Sequence, residues 1–413
     1  MMRVGVIWCF AAGCLAIPAQ EPRWRTLYKA ANQSARTNDY KSLQKTLQQL
    51  DPLMPGNPRN IYNAACAAAM LGDKAAALAG LQRIAAMGLV YGMAEDSDLT
   101  SLRGMPEFGA ILADVERNRR PVAHAEPITT LKEPDLLPED LAYDPKTRRF
   151  LVSSVRKSKI ITLDNALFAA AMWPVLALRI DPKRRIVWAS TGWVPQCEQC
   201  AASDKDKTAL LVFDLDSRKL QRKIDAPVPG LLGDMTMARD GTVYVSEGIY
   251  GAVFRVKPEM WTFERLDTAG EFPSPQNPAL SPDEKTLYVA DYLRGIAAID
   301  LKTKIVRWLK PSPNVALAGI DGLYVYQDSF LAVQNGVNPA RIVRFPLDLS
   351  RQEILEANTP GFGEPTHGTL VGDGFFFIAN TGWNQYDGQG KKKPDSEPVI
   401  STVRRLALPA RPM

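Results

Sequence analysis

Histidine and cysteine are scarce in this sequence: the 413 residues contain two histidines, His124 and His367, and five cysteines. Copper-type histidine sets and the CxxCH of a c-type haem are absent, and one CxxC cannot make a four-cysteine zinc site. The sequence also lacks G-x-S-x-G, a phosphate-binding glycine loop and H-E-x-x-H. The common signatures of electron-transfer proteins, serine hydrolases, P-loop proteins and zinc proteases are therefore excluded.

A large excess of charge of one sign is also missing, because 50 lysines and arginines balance 45 acidic residues, leaving a net charge of +5. The basic residues are interspersed with acids. The one basic run, residues 391–393, lies in a stretch rich in Gly, Gln, Asp and Pro that is typical of a solvated loop. We therefore expect no nucleic-acid partner.

A long apolar run occurs only at the beginning of the chain, in MMRVGVIWCFAAGCLAIPAQ. Arg3 precedes an apolar stretch over residues 4–15 that has signal-peptide length and is too short to span a bilayer. We expect residues 1–19 to be a signal peptide and the mature protein to be periplasmic or secreted, with no transmembrane segment. The run ending at Cys14 is similar to a lipoprotein box, so a lipid anchor there is one alternative and a buried N-terminal helix is another.

Helical spacing of apolar residues extends over residues 22–119. It is clearest in IYNAACAAAMLGDKAAALAGLQRIAAMG, where Gly72 and Asp73 interrupt the pattern and predict helix, turn, helix. Small residues at Ala64, Ala68 and Ala77 would let paired helices approach closely, and the segment resembles a tetratricopeptide unit. Such a domain could bind a protein partner, or it could simply cap the next domain.

After a proline-containing stretch, predicted as a linker over residues 120–135, short β-rich runs alternate with turns. Six similar pairs of strands recur about every 40–50 residues, and a second hairpin follows each. This period predicts a mainly β fold, a six-bladed β-propeller over residues 136–413, whose last blade closes with a strand from around residues 128–131. The six pairs are LAYDPKTRRFLVSS, LALRIDPKRRIVWAS, MTMARDGTVYVSEG, PALSPDEKTLYVAD, LYVYQDSFLAVQN and GTLVGDGFFFIANT.

The remaining cysteines separate into a helical one and a close pair. Cys66 lies in the alanine-rich helical pattern and is typical of a buried small apolar residue. Cys197 and Cys200 lie in an insertion of the second repeat, VPQCEQCAASDKDK. A local disulfide in an oxidising compartment is the favoured interpretation, and free thiols are the alternative.

The residues just before the innermost strands should point into the mouth of the propeller channel. Most of them are oxygen-bearing, and a ring of carboxylates is costly unless a cation neutralises it. Oxygen ligands favour a hard divalent cation such as calcium. The alternative is that these side chains cap strands or bind loop amides. The six positions are Glu139, Pro174, Asp234, Asn277, Asp321 and Glu364.

Three segments resemble the regucalcin/gluconolactonase (SMP-30-like) family, within the broader TolB-like six-bladed propellers. They are LPEDLAYDPKTRRFLVSS, NPALSPDEKTLYVADYLRG and IDGL. The resemblance covers residues 138 to about 408, most of the predicted propeller, and it implies a divalent metal, often calcium, at the channel mouth and hydrolysis of sugar lactones. Glu139 matches the first-blade carboxylate ligand of the family. Asp321 matches the fifth-blade carboxylate, which is both ligand and base.

The other two predicted metal ligands match the family only in part. Asp234 follows Gly233 where the family has Asn-Asp. Asn277 lies one residue after Gln276, which occupies the position of the family's asparagine. The resemblance therefore implies a metal set of Glu139, Asp234, Asn277 and Asp321 in which two members depart from the family pattern.

Three further residues near the predicted mouth complete the candidate site. His367, in GEPTHGTL, is a candidate catalytic base, although a hydrogen-bonded strand histidine is the alternative. Trp193 and Trp383 each follow an STGW or NTGW strand end and, with Glu364, are candidates for binding the substrate. Aromatic packing between blades is the other interpretation of the two tryptophans.

Two hypotheses follow for the function. The first is metal-dependent hydrolysis of a lactone or related ester at the channel mouth. The second is a non-catalytic ligand-binding or protein-interaction scaffold in the cell envelope. The fold alone does not decide between them, because propellers carry many functions.

Overall fold

The structure is a computed structural model that describes residues 21–394, 396–397 and 399–408. The predicted signal peptide, including Cys14, lies outside the described residues. In the part of the chain that the structure describes, no helix is long and apolar enough to cross a bilayer.

The N-terminal part of the described chain is helical, as the spacing of apolar residues predicts. Three helices begin at side chains that accept a hydrogen bond from the first turn: Asp39 from Ser42 N (3.0 Å), Asn57 from Asn60 N (3.2 Å) and Asp73 from Ala76 N (3.0 Å). The predicted turn at residues 72–73 is confirmed. The helices are α1 (Arg23–Arg36), α2 (Tyr40–Leu50), α3 (Pro58–Met70), α4 (Lys74–Ala86) and α5 (Pro106–Asn118).

The rest of the described chain forms six antiparallel sheets of four strands, which are the six blades of the predicted β-propeller. Blades one to three comprise β2 (Pro138–Asp144), β3 (Arg149–Ser154), β4 (Lys159–Thr162) and β5 (Leu167–Ala170); β6 (Val175–Asp181), β7 (Ile186–Gly192), β8 (Thr208–Asp214) and β9 (Leu220–Asp225); and β10 (Leu232–Met237), β11 (Val243–Glu247), β12 (Ala252–Val256) and β13 (Phe263–Arg265). Blades four and five comprise β14 (Pro275–Leu280), β15 (Thr286–Asp291), β16 (Gly295–Asp300) and β17 (Val306–Trp308); and β18 (Ile320–Tyr326), β19 (Ser329–Gln334), β20 (Arg341–Pro346) and β21 (Glu353–Ala357).

The sixth blade is assembled from both ends of the propeller sequence. Its strands β22 (Gly368–Val371), β23 (Gly374–Ile378) and β24 (Thr402–Ala407) are completed by β1 (Ala125–Thr130), which pairs with β24 from Ala125↔Leu406 to Thr130↔Thr402. The predicted closure by a strand from outside the last repeat is confirmed, although β1 begins three residues before the expected segment. The stretch predicted as a linker thus contains the outer strand of a blade, which ties the ring shut.

Apolar side chains fill the space between neighbouring blades all the way around the ring. Phe330 of blade five packs in one cluster with Ile296 of blade four. Ile378 of blade six packs with Leu141 of blade one, so the first and last blades share a core. Because every blade is covered on both faces, its strands are nearly continuous runs of apolar residues. The closed ring of blades protects most of the sheet edges.

The helices pack directly on blades four and five. Ala316 of the propeller is buried in the same apolar cluster as α3, α4 and α5. Hydrogen bonds reinforce the contact: the amide of Asn57 donates to Leu293 O (2.8 Å), and the buried guanidinium of Arg341 donates to Met87 O (2.7 Å). The helical part therefore covers the channel-mouth side of these two blades, where the turns β15–β16 and β19–β20 lie.

Candidate functional site

Irregular pairing at the start of the inner strands redirects side chains toward the channel, and in every blade of the first five except blade two these include a polar residue. In blades one to five the register between the innermost strand and its neighbour shifts within the first few residues. A β-bulge of this kind bends the strand and redirects a side chain, and bulges are common beside functional sites. The shifts lie between Pro138 and Leu141, Val175 and Leu178, Leu232 and Met235, Pro275 and Pro278, and Ile320 and Gly322.

Glu139, Asp321 and His367 meet at the channel mouth. Each is buried and offers one ligand atom that lies within 4.8 Å of those of the other two. His367 directly precedes β22, and its backbone N–H donates to Glu139 O (3.2 Å), which holds blade six against blade one. The three residues therefore come from three different blades and converge only because the ring closes.

Asp234 completes this group by contacting the histidine rather than the other carboxylates. His367 Nε2 lies 3.2 Å from Asp234 Oδ1 and 3.3 Å from the backbone O of Asp321. The other ring nitrogen, Nδ1, lies 3.9 Å from Glu139 Oε1 and has no hydrogen-bond partner among the described residues. One side of the imidazole is thus held, and the other is buried and unpaired.

Each carboxylate of the group is likewise held by a hydrogen bond to one of its two oxygens. The indole Nε1 of Trp383 donates to Glu139 Oε2 (2.6 Å). The amide of Asn335 donates to Asp321 Oδ2 (2.7 Å), and Asn335 is itself held by the hydroxyl of Tyr292, which donates to its Oδ1 (2.9 Å). Within the described residues, Glu139 Oε1, Asp321 Oδ1 and His367 Nδ1 therefore accept no hydrogen bond. We call Glu139, Asp321 and His367 the mouth cluster.

Burial and mutual repulsion shift the titration of the mouth cluster. Burial raises the pKa of Glu139 well above its usual value, and the nearby charge of Asp321 adds to the rise. Burial also raises the pKa of Asp321 to about 6. Burial lowers the pKa of His367, but the charges of Asp234 and Asp321 outweigh it and hold this pKa well above the usual value. The site carries more carboxylates than bases, so bound protons or a cation must offset the excess negative charge.

A second polar layer lies below the mouth cluster, farther along the inner strands. Arg179 donates through Nη1 to Asp140 Oδ2 (2.6 Å) and through Nη2 to Asn277 Oδ1 (3.2 Å). The amide nitrogen of Asn277 donates to Leu323 O (2.5 Å) and Pro278 O (3.2 Å). The oxygen of Asn277 is thus occupied by Arg179, and the structure places this predicted ligand in the layer below the mouth cluster.

The remaining predicted site residues surround the mouth at different distances. Glu364 is half-buried, accepts a hydrogen bond from Asn384 N (2.9 Å), and has a pKa raised by burial. Trp383 contacts the mouth cluster through Glu139. Trp193 is half-buried and follows β7, at the start of the insertion in blade two.

The insertion in blade two is held by a disulfide between Cys197 and Cys200, whose Cα atoms lie 5.6 Å apart. Beyond it, the amide of Gln196 donates to Asp387 O (3.2 Å), and Arg156 donates to Gln196 O (3.1 Å). The insertion therefore packs against the turn of blade one and the long loop of blade six, opposite the helices across the mouth.

Four residues of the site are missing from the sequence-based set: Asp140, Arg179, Tyr292 and Asn335. Arg179 had a detectable signal, because it is the one charged residue inside the apolar run VLALRI of an inner strand. Asp140 is the second acid of the pair that begins with Glu139. Tyr292 and Asn335 lie in turns between β15 and β16 and between β19 and β20, where polar residues are expected anyway.

Comparisons with known proteins give similarities of fold. No protein-family model matches the chain, and no curated protein matches its sequence. A calcium-binding regucalcin from Agrobacterium tumefaciens is 14% identical with a TM-score of 0.49, and the match covers 68% of this chain and 95% of that chain. The PQQ-bound aldose sugar dehydrogenase of Streptomyces coelicolor is 14% identical with a TM-score of 0.46, covering 68% and 98%. A chain of a nidogen/laminin complex is 11% identical with a TM-score of 0.44, covering 54% and 81%.

Proposed function

We propose that this protein is a divalent-metal-dependent hydrolase of lactones or related esters that acts at the mouth of the propeller channel. The proposal rests on one arrangement, namely three buried residues that each offer one ligand atom within 4.8 Å of those of the other two. Each of these atoms belongs to a side chain whose other polar atom is already held. The buried and unpaired Nδ1 of His367 is the atom that best fits a metal, because an unpaired buried nitrogen is costly and a bound cation would remove that cost.

Glu139, Asp321 and His367 would hold the metal, and Asp234 would orient the histidine. A metal-bound histidine commonly donates its other N–H to a carboxylate, which fixes the tautomer and the orientation of the ring. The distance of 3.2 Å from His367 Nε2 to Asp234 Oδ1 fits that role. Because one ligand is an imidazole nitrogen, zinc or manganese fits this set better than the calcium that oxygen ligands alone would favour.

When bound, such a cation polarises the ester carbonyl and makes water a stronger nucleophile at neutral pH. The residues of the chain supply the proton transfers and the shape of the site. Water adds its oxygen to the carbonyl carbon, and a carboxylate at the mouth, for which Asp321 is the candidate, accepts its proton. The ring C–O bond then breaks, and the same proton passes to the leaving oxygen to give a hydroxy acid.

The second layer and the helices define how substrate reaches the site. Arg179, paired with Asp140 at 2.6 Å, lies in the channel below the cluster. Substrate therefore enters from the mouth, between the helices on one side and the disulfide-bonded insertion on the other. The disulfide also supports export to an oxidising compartment, which we propose together with the function.

One observation favours a second candidate function, a protein-interaction scaffold. A cavity of about 460 Å³ lies between α2, α3 and α4 and is lined by small and amide-bearing side chains, including Gln44, Gln48, Asn60 and Ala68. A partner could dock there whether or not the propeller is catalytic. Binding of a protein to the helices in a variant whose mouth cluster is disabled would support this second function.

The first test is a metal titration followed by thermal melting. We expect zinc or manganese to raise the melting temperature of the chelator-stripped protein, since a ligand present at 1,000 times its Kd stabilises the folded state by about 4 kcal/mol. Glu139→Gln should remove most of this shift. The exposed Glu126→Gln on β1 should leave it intact. Hydrolysis of a panel of lactones by the metal-loaded protein should likewise be lost in Glu139→Gln and retained in Glu126→Gln.

The absence of a shift with zinc, manganese and calcium would overturn the metal site and the hydrolase together. A shift without turnover on any lactone or ester of the panel would leave a metal-binding propeller and overturn the proposed reaction.

A separate prediction concerns Asn335, which holds Asp321 but does not belong to the mouth cluster. We expect Asn335→Ala to weaken zinc or manganese binding about 10–100-fold, because Asp321 Oδ2 loses its donor and the carboxylate can rotate. Calorimetric titration measures this effect. Asn118→Ala, which removes hydrogen bonds of 2.8 and 3.1 Å within the helices, is the control for a general loss of stability. Equal metal affinities in the two variants would contradict a positioning role for Asn335.

A further inference from the structure

The channel has a second cavity at the end opposite the mouth cluster. This cavity has a volume of about 560 Å³ and is lined by the inner strands of blades three to six. Among its lining residues, Thr236, Leu280, Val325 and Leu370 lie in the later parts of β10, β14, β18 and β22, whereas the mouth cluster lies where inner strands begin. We call this space the far cavity.

Arg179 also lines the far cavity, and it presents a positive charge there. Its Nη1 and Nη2 donate to Asp140 and Asn277, but its Nε has no acceptor among the described residues. The side chain of Asp140 is only 1% exposed, and its oxygens also accept from the backbone N–H groups of Leu141 and Leu178, both at 2.8 Å. A ligand in the far cavity would therefore contact the guanidinium and not its carboxylate partner.

Three hydroxyl-bearing side chains line the far cavity with Arg179. Tyr324 is 9% exposed, and its hydroxyl oxygen accepts from Gly368 N (2.8 Å), while its own O–H has no acceptor among the described residues. Burial raises the pKa of Tyr324 well above its usual value, so the hydroxyl keeps its proton. The hydroxyls of Thr236 and Thr369 make no hydrogen bond within the same part of the chain. Unpaired donors that share one cavity favour a ligand rich in acceptor oxygens.

We propose that the far cavity binds a small organic acid that carries hydroxyl groups, at a site separate from the mouth cluster. The carboxylate of the acid would accept from Arg179 and Tyr324, and hydrogen bonds to a charged oxygen are the strong ones. Its hydroxyl groups would bond to Thr236 and Thr369, whose hydroxyls both donate and accept. A volume of about 560 Å³ is typical of a small-molecule site. The inference goes beyond the proposed hydrolase function and does not depend on it.

Two probes of equal carbon number, D-gluconate and D-sorbitol, test this inference, because they differ mainly in the carboxylate. Calorimetric titration into the full-length, chelator-stripped protein measures binding without metal or turnover. D-gluconate should bind at least about tenfold more tightly than D-sorbitol, since a hydrogen bond to a charged group changes an equilibrium by about ten- to 100-fold.

Tyr324→Phe should weaken D-gluconate binding about tenfold, because it removes only the hydroxyl that donates to the carboxylate. This variant is preferable to a replacement of Arg179, which would leave Asp140 buried without its partner. Tyr288→Phe is the matched control, since it removes the hydroxyl of a half-buried tyrosine that does not line the far cavity. The control should retain wild-type affinity.

Two further variants test the other parts of the site. The double variant Thr236→Val, Thr369→Val should weaken D-gluconate binding about fivefold, because it removes two neutral hydrogen bonds while keeping the shape of the side chains. Glu139→Gln, at the mouth cluster, should leave the affinity for D-gluconate unchanged.

Equal affinities for the two probes, or no measurable affinity for D-gluconate, would overturn the inference, and so would equal losses in Tyr324→Phe and Tyr288→Phe. Wild-type affinity in the double threonine variant would overturn the hydroxylated class of ligand. Loss of D-gluconate binding in Glu139→Gln would place the acid at the mouth and overturn the separate site. The metal titration and the lactone panel test the proposed function independently, so either proposal can fail without the other.

Discussion

Replacing His367 with glutamine is expected to reduce zinc or manganese affinity by at least about 100-fold. Removing a residue that only orients a metal ligand already lowers metal affinity by about 10–100-fold, and removing the ligand itself should cost at least as much. The imidazole supplies the one nitrogen of the mouth cluster, and its Nδ1 is the buried atom that accepts no hydrogen bond among the described residues. Its removal also takes away the base that lies among the carboxylates of Glu139, Asp234 and Asp321. The negative charges of Asp234 and Asp321 raise the pKa of this imidazole, so its positive charge offsets theirs. Lactone turnover should fall at least as far as metal affinity.

The chain provides its own control for this experiment, since it has a second histidine. His124 is exposed and bonds through Nδ1 to Leu355 O (2.8 Å), outside the channel. His124→Gln should retain wild-type metal affinity and turnover. Calorimetric titration and kcat/KM on a lactone measure both variants. Metal affinity that survives in His367→Gln would show that the cation, if one binds, does not use the mouth cluster.

Replacing Gly319 with alanine is expected to destabilise the protein by about 2–5 kcal/mol. Its φ of +72° lies in the left-handed region, and a Cβ there would lie 2.6 Å from the backbone carbon of Gly336. The turn that contains Gly336 also carries Asn335, which holds Asp321. The backbone of both turns must therefore approach closely for the site to form, and Gly319 lies two residues before Asp321.

Gly72→Ala separates the two contributions to this effect. Gly72 has a φ of +83°, but a Cβ added there would meet no atom within 4 Å. We expect this variant to cost only about 1–2 kcal/mol, which is the penalty of the left-handed backbone alone. Urea denaturation of both variants measures the difference. Equal losses would mean that the turn around Gly336 can shift without cost, and that close backbone approach does not fix Asn335.

The helices are connected to the site through the turns of blades four and five. Asn57 of the helical part bonds to Leu293 O, and the neighbouring residue, Tyr292, donates to Asn335. The amide of Asn338, in the same turn as Asn335, donates to Val90 O (3.2 Å). The helical part therefore supports the two turns that position Asp321.

The sequence alone determined the six blades, because each repeat carries its own strand and turn pattern. The period between repeats is local information that survives without tertiary contacts. The same holds for the helical turn at Gly72 and Asp73. The closing strand was predictable for a different reason. A ring of repeats leaves one blade incomplete, and the segment before the first repeat had β-compatible residues in the right place.

The repeat pattern placed Glu139, Asp234 and Asp321 at the channel mouth, and His367 was placed there as a histidine near the start of the last blade. Their contacts required the tertiary structure. Which side of His367 is held by Asp234, and which is left unpaired, follows from distances of a few ångströms between blades that are far apart in sequence. The position of Asn277 in the repeat predicted a metal ligand. In the structure its side-chain oxygen accepts a hydrogen bond from Arg179, in the layer below the mouth cluster.

Only the tertiary structure could reveal the partners that hold the site in place. Asn335 and Tyr292 lie in turns where polar residues are common, so no local pattern distinguishes them. Their effect on Asp321 depends on packing between two blades and the helices. Repeat periodicity fixes which residues face the channel, whereas charge pairing and close packing across the ring decide what each of them can do.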